Sequence, residues 1–359
     1  MKIKNMRSTK FASAVAVAMA LTASGARSAF AAEGDGDNVV TTIDCTAQAA
    51  LQEALAKYAD TNDTGKAWGV VMEVKTGAIR AVVDRCSVSC HCYEAGGVLM
   101  PFTAAIAWDA GVAKLDTMYS TARDDARYYT KLPGDGNHVW PEMMSVGDAL
   151  VKASNIVFGK LSDDVGQERM YLGLRSFGFG EKPGSGFDRE SEGILPDCRK
   201  RPWDRATWSR VGVGQFVGVT ALQLARGYAI LANGGIDVRP YTRTVPNATN
   251  RVVSAEAAGA ICWTLERVVT PEGTARRAAV KGVRVAGKTG TALRRVNGKY
   301  LDGCYYATFA GFFPVEAPKY VIVTTFETKK CGNKSMHRGG LCSAMAFAEI
   351  VKKLKGAQE

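Results

Sequence analysis

Apart from one N-terminal segment, this 359-residue sequence contains nothing that reads as a membrane-spanning helix. That segment, Phe11 to Ala23, is shorter than the ~20 apolar residues that cross a bilayer. It follows Lys2, Lys4, Arg7 and Lys10 and precedes the small-x-small triplet Ala29-Phe30-Ala31, the layout of a secretory signal. Residues 1–31 are therefore read as a signal peptide, with an uncleaved membrane anchor as the other reading. Residues 32–41, acidic from Glu33 to Asn38, are read as a linker, and residues 42–357 as one domain. Internal repeats and low-complexity segments are missing, which excludes a solenoid. No arginine-rich stripe interleaved with aromatics argues for nucleic acid. A second cysteine pair at finger-like spacing is also missing, so Cys86-x-x-x-Cys90-His91-Cys92 is not expected to hold zinc, and no metal or cofactor is implied.

What is present fits an exported globular protein. Hydrophobic residues make up 47% and charged residues 23%, enough apolar material for a full core. Removing residues 1–31 takes away five positive charges and no negative ones, so the net charge falls from +11 to +6. This mild excess is spread along the chain and reads as a solvated surface, with attraction to anionic wall polymers as the functional alternative. The nine cysteines are Cys45, Cys86, Cys90, Cys92, Cys198, Cys262, Cys304, Cys331 and Cys342. In an oxidising compartment some are expected to pair, with connectivity open, and the odd count leaves at least one unpaired or bonded between chains.

Periodicity predicts the following elements. Asp44 caps a helix carrying Ala47, Ala50, Leu51, Ala54, Leu55 and Tyr58 at helical spacing. Trp68 to Val74 and Ala78 to Val83 form a hairpin around Lys75-Thr76-Gly77. Pro101 to Ala110, Val146 to Leu161, Thr220 to Ala232 and Leu341 to Leu354 are helices. A loop is marked by Pro133-Gly134-Asp135-Gly136. Arg284 to Ala292, Gly303 to Phe313 and Lys319 to Glu327 are strands. The early hairpin and the late strands are expected to share one antiparallel sheet covered by helices. Gly282-x-x-x-x-Gly287-Lys288-Thr289 also fits the P-loop pattern, but that site needs a helix after the loop. Here Val283-Arg284-Val285 alternates like a strand, and the residues to Gly298 read as strand and turn.

Several segments, in order, resemble the transpeptidase domain of penicillin-binding proteins of the monofunctional class. They are Gly69 to Ile79, the frame Tyr93-Glu94-Ala95-Gly96 with Pro101-Phe102-Thr103, Ala149 to Asn155, and Phe177-Gly178-Phe179-Gly180. Gly193-Ile194-Leu195-Pro196, Val213-Gly214-Gln215 with Val219 to Ala225, Gly287 to Ala292, and Phe309 to Pro314 complete the set. The resemblance covers about residues 42–354. It implies an α/β fold of the serine β-lactamase type, a central antiparallel sheet flanked by helices plus a helical subdomain. The membrane helix and pedestal domain the family carries ahead of this domain are not found in this sequence.

The family chemistry uses S-x-x-K at a helix start, then S-x-N, then K-T-G on a strand. Residues i and i+3 share a helical face, so the lysine amine can take the serine proton. In the frame of this sequence the nucleophile position is Gly97, the general-base position Met100, and the serine of the second motif Ala153. Glycine has no nucleophile, and methionine holds no proton at neutral pH. Asn155 and the whole third motif, Lys288-Thr289-Gly290-Thr291, remain. The resemblance thus implies a pocket that has lost its proton-handling groups and kept those that bind a peptide carboxylate: a non-catalytic, exported protein binding peptidoglycan stem peptides or cell-wall synthesis proteins. Loss of the like-charge Met100-position lysine is expected to ease protonation of Lys288. The alternative is an active D,D-transpeptidase or carboxypeptidase rescued by Ser87, Ser89, Cys90 or Cys92, none of which has a lysine or histidine at i+3.

Overall fold

The computed structural model describes residues 41–60, 66–122, 140–243, 250–329 and 338–356. The expectations for a signal peptide, for a linker (Thr41 excepted) and for the Pro133 loop lie outside these residues, as does Cys331. Residues 42–359 form one compact unit. Among the described residues no helix is long and apolar enough to cross a membrane.

The chain opens with α1 (Cys45–Asp60), started by Asp44, whose side chain accepts the Ala47 N–H at 2.8 Å. The hairpin β1 (Ala67–Glu73) and β2 (Ile79–Val83) follows, turning at Gly77 with φ +82°. A Cβ on Gly77 would lie 2.0 Å from the Arg239 carbonyl oxygen, so glycine is required there for both conformation and space. Next come α2 (Arg85–Cys90), β3 (Tyr93–Glu94), a 3₁₀ turn Gly96–Leu99, and α3 (Met100–Asp109). The helical middle comprises α4 (Val146–Lys152), α5 (Asn155–Val165), α6 (Gln167–Ser176) and α7 (Arg205–Val211), with a small hairpin of β4 (Met118–Ser120) and β5 (Met143–Ser145). After β6 (Gly218–Val219) come α8 (Ala221–Ala232), α9 (Ala255–Val268), β7 (Ala286–Val296), β8 (Lys299–Phe313), β9 (Tyr320–Lys329) and α10 (Cys342–Gly356).

The main sheet is antiparallel, in the order β2-β1-β9-β8-β7. Strand β1, residues 305–313 of β8 and residues 321–326 of β9 are buried on both faces because both are covered. Helices α1 and α10 pack together and against the sheet, and α8 packs on β1, β8 and β9. The central helix α8 begins with a capping box: Thr220 accepts the Gln223 N–H, and the Gln223 side chain accepts the Thr220 N–H. Phe102 of α3 packs against Phe177, Phe179 and Tyr228, which joins the helical middle to the sheet side. Helix α8 also carries the buried Arg226, bonded to both oxygens of Asp237 at 2.9 Å and to Glu181 at 2.5 Å.

The fold is the α/β arrangement expected from the sequence, and helices α2, α6, α7 and α9 are additional to the elements expected. The helix expected over Val146–Leu161 is two helices. Ala153 adopts φ 59°, which ends α4, and Ser154 caps α5 by accepting the Val157 N–H. Among the eight described cysteines no disulfide is found. Three of their sulfurs hydrogen-bond to carbonyls: Cys90 with the Arg189 carbonyl, Cys198 with that of Gln167, and Cys262 with that of Leu231. Cys90 and Cys92 straddle the end of α2.

Candidate functional site

The three motif segments converge on one cleft of about 480 Å³. Its floor is the 3₁₀ turn ahead of α3. That turn is held from behind by the Tyr228 hydroxyl, which donates to the Val98 carbonyl at 2.9 Å, and by the Gly96 N–H, which donates to the Gly214 carbonyl. Strand β7 forms one wall. It approaches the turn closely because Gly290 lacks a side chain: a Cβ there would sit 2.8 Å from the Ala95 carbonyl oxygen. The junction of α4 and α5 forms the opposite wall, bringing Lys152, Ala153 and Asn155 to the cleft.

Gly97 sits at the centre. A Cβ at this position would lie 3.3 Å from Lys288 Nζ and 3.9 Å from Met100 Sδ. The side-chain direction of residue 97 therefore points between the residue three positions on and the lysine of the third motif, the geometry that a nucleophile and its proton partners require. The same Cβ would be only 2.9 Å from the Thr289 carbonyl oxygen, so the space is partly occupied by the strand itself. Met100 is fully buried and fills the volume beside it.

Of the four third-motif residues, Thr289 and Thr291 line the cleft. The Thr289 hydroxyl shares a hydrogen bond with the Thr274 hydroxyl at 2.9 Å, and the Thr291 hydroxyl accepts the Gly339 N–H at 3.1 Å. Lys288 lies behind the wall with 0% exposure, its ammonium 3.4 Å from the Thr289 carbonyl. Burial pulls its pKa down to about 7 from an ordinary 10.5. Desolvation is the cause, and it acts on Lys288 whatever residue stands at position 100. Asn155 and Ala153 line the cleft as the motif spacing implied.

The sequence reading missed the rim. Arg276, Arg277 and Arg338, with Lys152, stand exposed around the opening, and Glu272 is the acid among them. Arg276 and Arg277 stand on a short 3₁₀ turn, Arg276–Ala278, and Arg338 stands four residues ahead of α10, so no single periodic element carries the rim. The doublet Arg276-Arg277, ten residues ahead of Gly287, was the signal available. The four residues considered as substitutes for the lost serine do not line the cleft. Ser87 donates to Asp84, Ser89 to the Arg85 carbonyl and Cys90 to that of Arg189. Cys92 faces a different cavity, and burial pushes its thiol up to about 11. Lys288-Thr289-Gly290 is mid-strand in β7, the backbone geometry that excludes a P-loop.

Comparison with known proteins agrees with this geometry. Residues 67–352 match the penicillin-binding protein transpeptidase domain. The chain is 28% identical over 337 residues to a probable peptidoglycan D,D-transpeptidase PenA of Neisseria meningitidis, covering 88% of this chain and 56% of that protein. It is 31% identical over 328 residues to the penicillin-binding protein PbpB of Mycolicibacterium smegmatis, covering 80% of this chain and 50% of that one. The chain thus spans about half the length of these relatives. Among solved structures, the transpeptidase domain of Burkholderia pseudomallei penicillin-binding protein 3 superposes with a TM-score of 0.78 at 26% identity, over 91% of this chain and 98% of that one. Penicillin-binding protein 3 of Mycobacterium tuberculosis, solved with aztreonam, gives 0.76 at 26% identity, over 89% and 79%. With the sheet order, the cleft and the ordered motifs in agreement, the chain belongs to the penicillin-binding protein transpeptidase domain family.

Proposed function

We propose that this chain is a non-catalytic member of its family, exported to the cell surface or periplasm, where it binds carboxylate-ended peptidoglycan stem peptides without forming an acyl-enzyme. The reading is carried by one observation: the side-chain direction of residue 97 meets Lys288 Nζ and Met100 Sδ, and residue 97 is glycine. Covalent acyl transfer needs an attacking oxygen or sulfur and a group to take its proton. Loss of a nucleophile in a serine hydrolase costs roughly 10⁶ in rate. Recognition needs neither group. Thr289 and Thr291 line the cleft, and the cationic rim of Lys152, Arg276, Arg277 and Arg338 favours an anion.

The test is intact-protein mass spectrometry of the purified domain after incubation with a penicillin, beside an active family member. The expected result is an unchanged mass here and one drug adduct on the control. An adduct would establish the active alternative, and peptide mapping would locate its nucleophile. Binding of a peptide ending in D-alanyl-D-alanine, weakened by Thr289→Val, is expected by calorimetry. Absence of that binding with an unchanged mass would leave a wall-synthesis protein as the ligand.

A further inference from the structure

A second cavity, of about 830 Å³, lies farther along the strand that walls the cleft. Thr289 and Thr291 of β7 line the cleft, whereas Leu293 and Arg295 line this cavity. Its other walls are β3, the turn into β6 and the segment 194–207. It is larger than the cleft, holds no residue of the three catalytic-motif positions, and has three features of a built site.

The first is backbone strain. Phe216 lines the cavity at φ 60°, a conformation that a bulky residue adopts only when its surroundings impose it. Its N–H donates to Glu94 Oε1 at 3.4 Å, and the Arg210 guanidinium lies 5.7 Å from its ring. The ring is only half-buried, so the strain does not serve to fill the core.

The second is charge. The acids of the cavity are committed within the fold. Glu94 accepts the Tyr300 hydroxyl at 2.8 Å, Asp197 pairs with Arg199 at 3.1 Å, and Asp204 caps α7 through the Thr207 N–H at 2.7 Å. The lysine and one arginine are not: Lys200 and Arg201 are exposed and form no ion pair among the described residues, while the exposed Arg295 donates to the Gly298 carbonyl, lies 5.7 Å from the Tyr300 ring and shares its field with Glu94, keeping its outer guanidinium face open. The third feature is apolar surface. Trp203, Tyr306 and Leu293 form the walls, and Ile194 stands at the mouth 59% exposed.

We propose that this cavity docks an acidic peptide segment of a protein partner, one that inserts a bulky apolar side chain against Phe216 and Trp203 while its carboxylates meet Lys200, Arg201 and Arg295. Charge complementarity selects the acidic partner, because only the cations have valence to spare. An aromatic or branched side chain is the anchor such a pocket accepts.

The probe is a fluorescein-labelled peptide with the sequence Asp-Glu-Trp-Asp-Glu, blocked at both ends and read by fluorescence anisotropy against the mature domain. Blocking removes the free terminal carboxylate that the cleft would recognise, so the outcome is independent of the proposed function. Saturable binding is expected, weakened roughly tenfold or more by the double variant Lys200→Glu with Arg201→Glu and lost with a lysine-for-acid peptide. Phe216→Gly, which relieves the positive φ while deleting the ring, is expected to weaken binding with the fold intact by circular dichroism. Arg277→Glu, on the cleft rim, is expected to leave binding unchanged. Absence of saturation up to about 1 mM peptide, binding indifferent to the Lys200/Arg201 reversal, or an equal loss with Arg277→Glu would each overturn the assignment.

Discussion

Lys288 offers a measurement that reads the closed state of the cleft directly. Its amine is fully buried, has no carboxylate partner among the described residues, and titrates near 7. The unfolded chain holds that proton up to the ordinary value of 10.5, so between about pH 7 and 10.5 the unfolded state is the more protonated one. The destabilisation is therefore complete below pH 7 and fades as pH rises toward 10.5. Its full size is roughly 5 kcal/mol, at about 1.4 kcal/mol per pKa unit. Near pH 9 about 2 kcal/mol remains, so some 3 kcal/mol separates pH 6 from pH 9. Lys288→Met keeps the stem and removes the titration. Every other group titrates alike in both proteins, so the difference between their melting temperatures isolates this residue. For a domain of this length about 3 kcal/mol corresponds to roughly 4 °C. Paired thermal melts at pH 6 and pH 9 should show the variant's advantage larger at pH 6 by that amount. An advantage equal at both values would mean that the amine reaches solvent or a carboxylate, and the closed wall described here would be wrong.

Three further outcomes follow from the same geometry. Gly97→Ser restores an oxygen but not the lysine at position 100, and the Thr289 carbonyl stands 2.9 Å from the new Cβ. The variant should lose about 1–3 kcal/mol in urea denaturation and gain no penicillin adduct by mass; labelling of this single variant would show that the Lys288 amine, 3.3 Å from the new Cβ, takes the proton in place of the lost base. Adding Met100→Lys and Ala153→Ser to Gly97→Ser returns the base and the second-motif hydroxyl, and slow labelling by penicillin is then expected. Arg226→Ala leaves the buried Asp237 carboxylate only its longer, 3.5 Å contact with the exposed Arg239, and a loss of about 3 kcal/mol is expected in the same denaturation assay; a loss under about 1 kcal/mol would show that Arg239 holds Asp237 as well as Arg226 does.

Much of the fold was legible because its signals are local. The Asp44 cap, the Gly77 turn and the turn at Gly298 each depend on residues within a few positions. The strands β7 to β9 alternate or run apolar over ten residues or more, so their presence could be read, although their ends ran past the expected limits. Helix α9 was missed despite the Ser254 cap and an apolar face at Ala257, Ala258, Ile261 and Leu265. The break at Ala153 was missed because alanine carries no sign of a left-handed conformation. In the site, the motif frame located Gly97, Met100 and Asn155, whereas the burial of Lys288 and the arginine rim arise from packing between segments far apart in sequence. No pattern along the chain encodes that.

The order of the main sheet places the last-synthesised strand at its centre. β9 lies between β1, made near the start of the domain, and β8, and α1 rests on α10 from the other terminus. A growing chain therefore has no completed sheet to close until residue 329 has emerged, and the hairpin β1-β2 waits for its partner across some 250 residues of intervening polypeptide. The main sheet is thus completed only at the end of synthesis, by pairing of segments far apart in the chain. A premature stop shortly before β9 would not trim the domain; it would leave two half-sheets with exposed facing edges, prone to pairing with neighbouring chains.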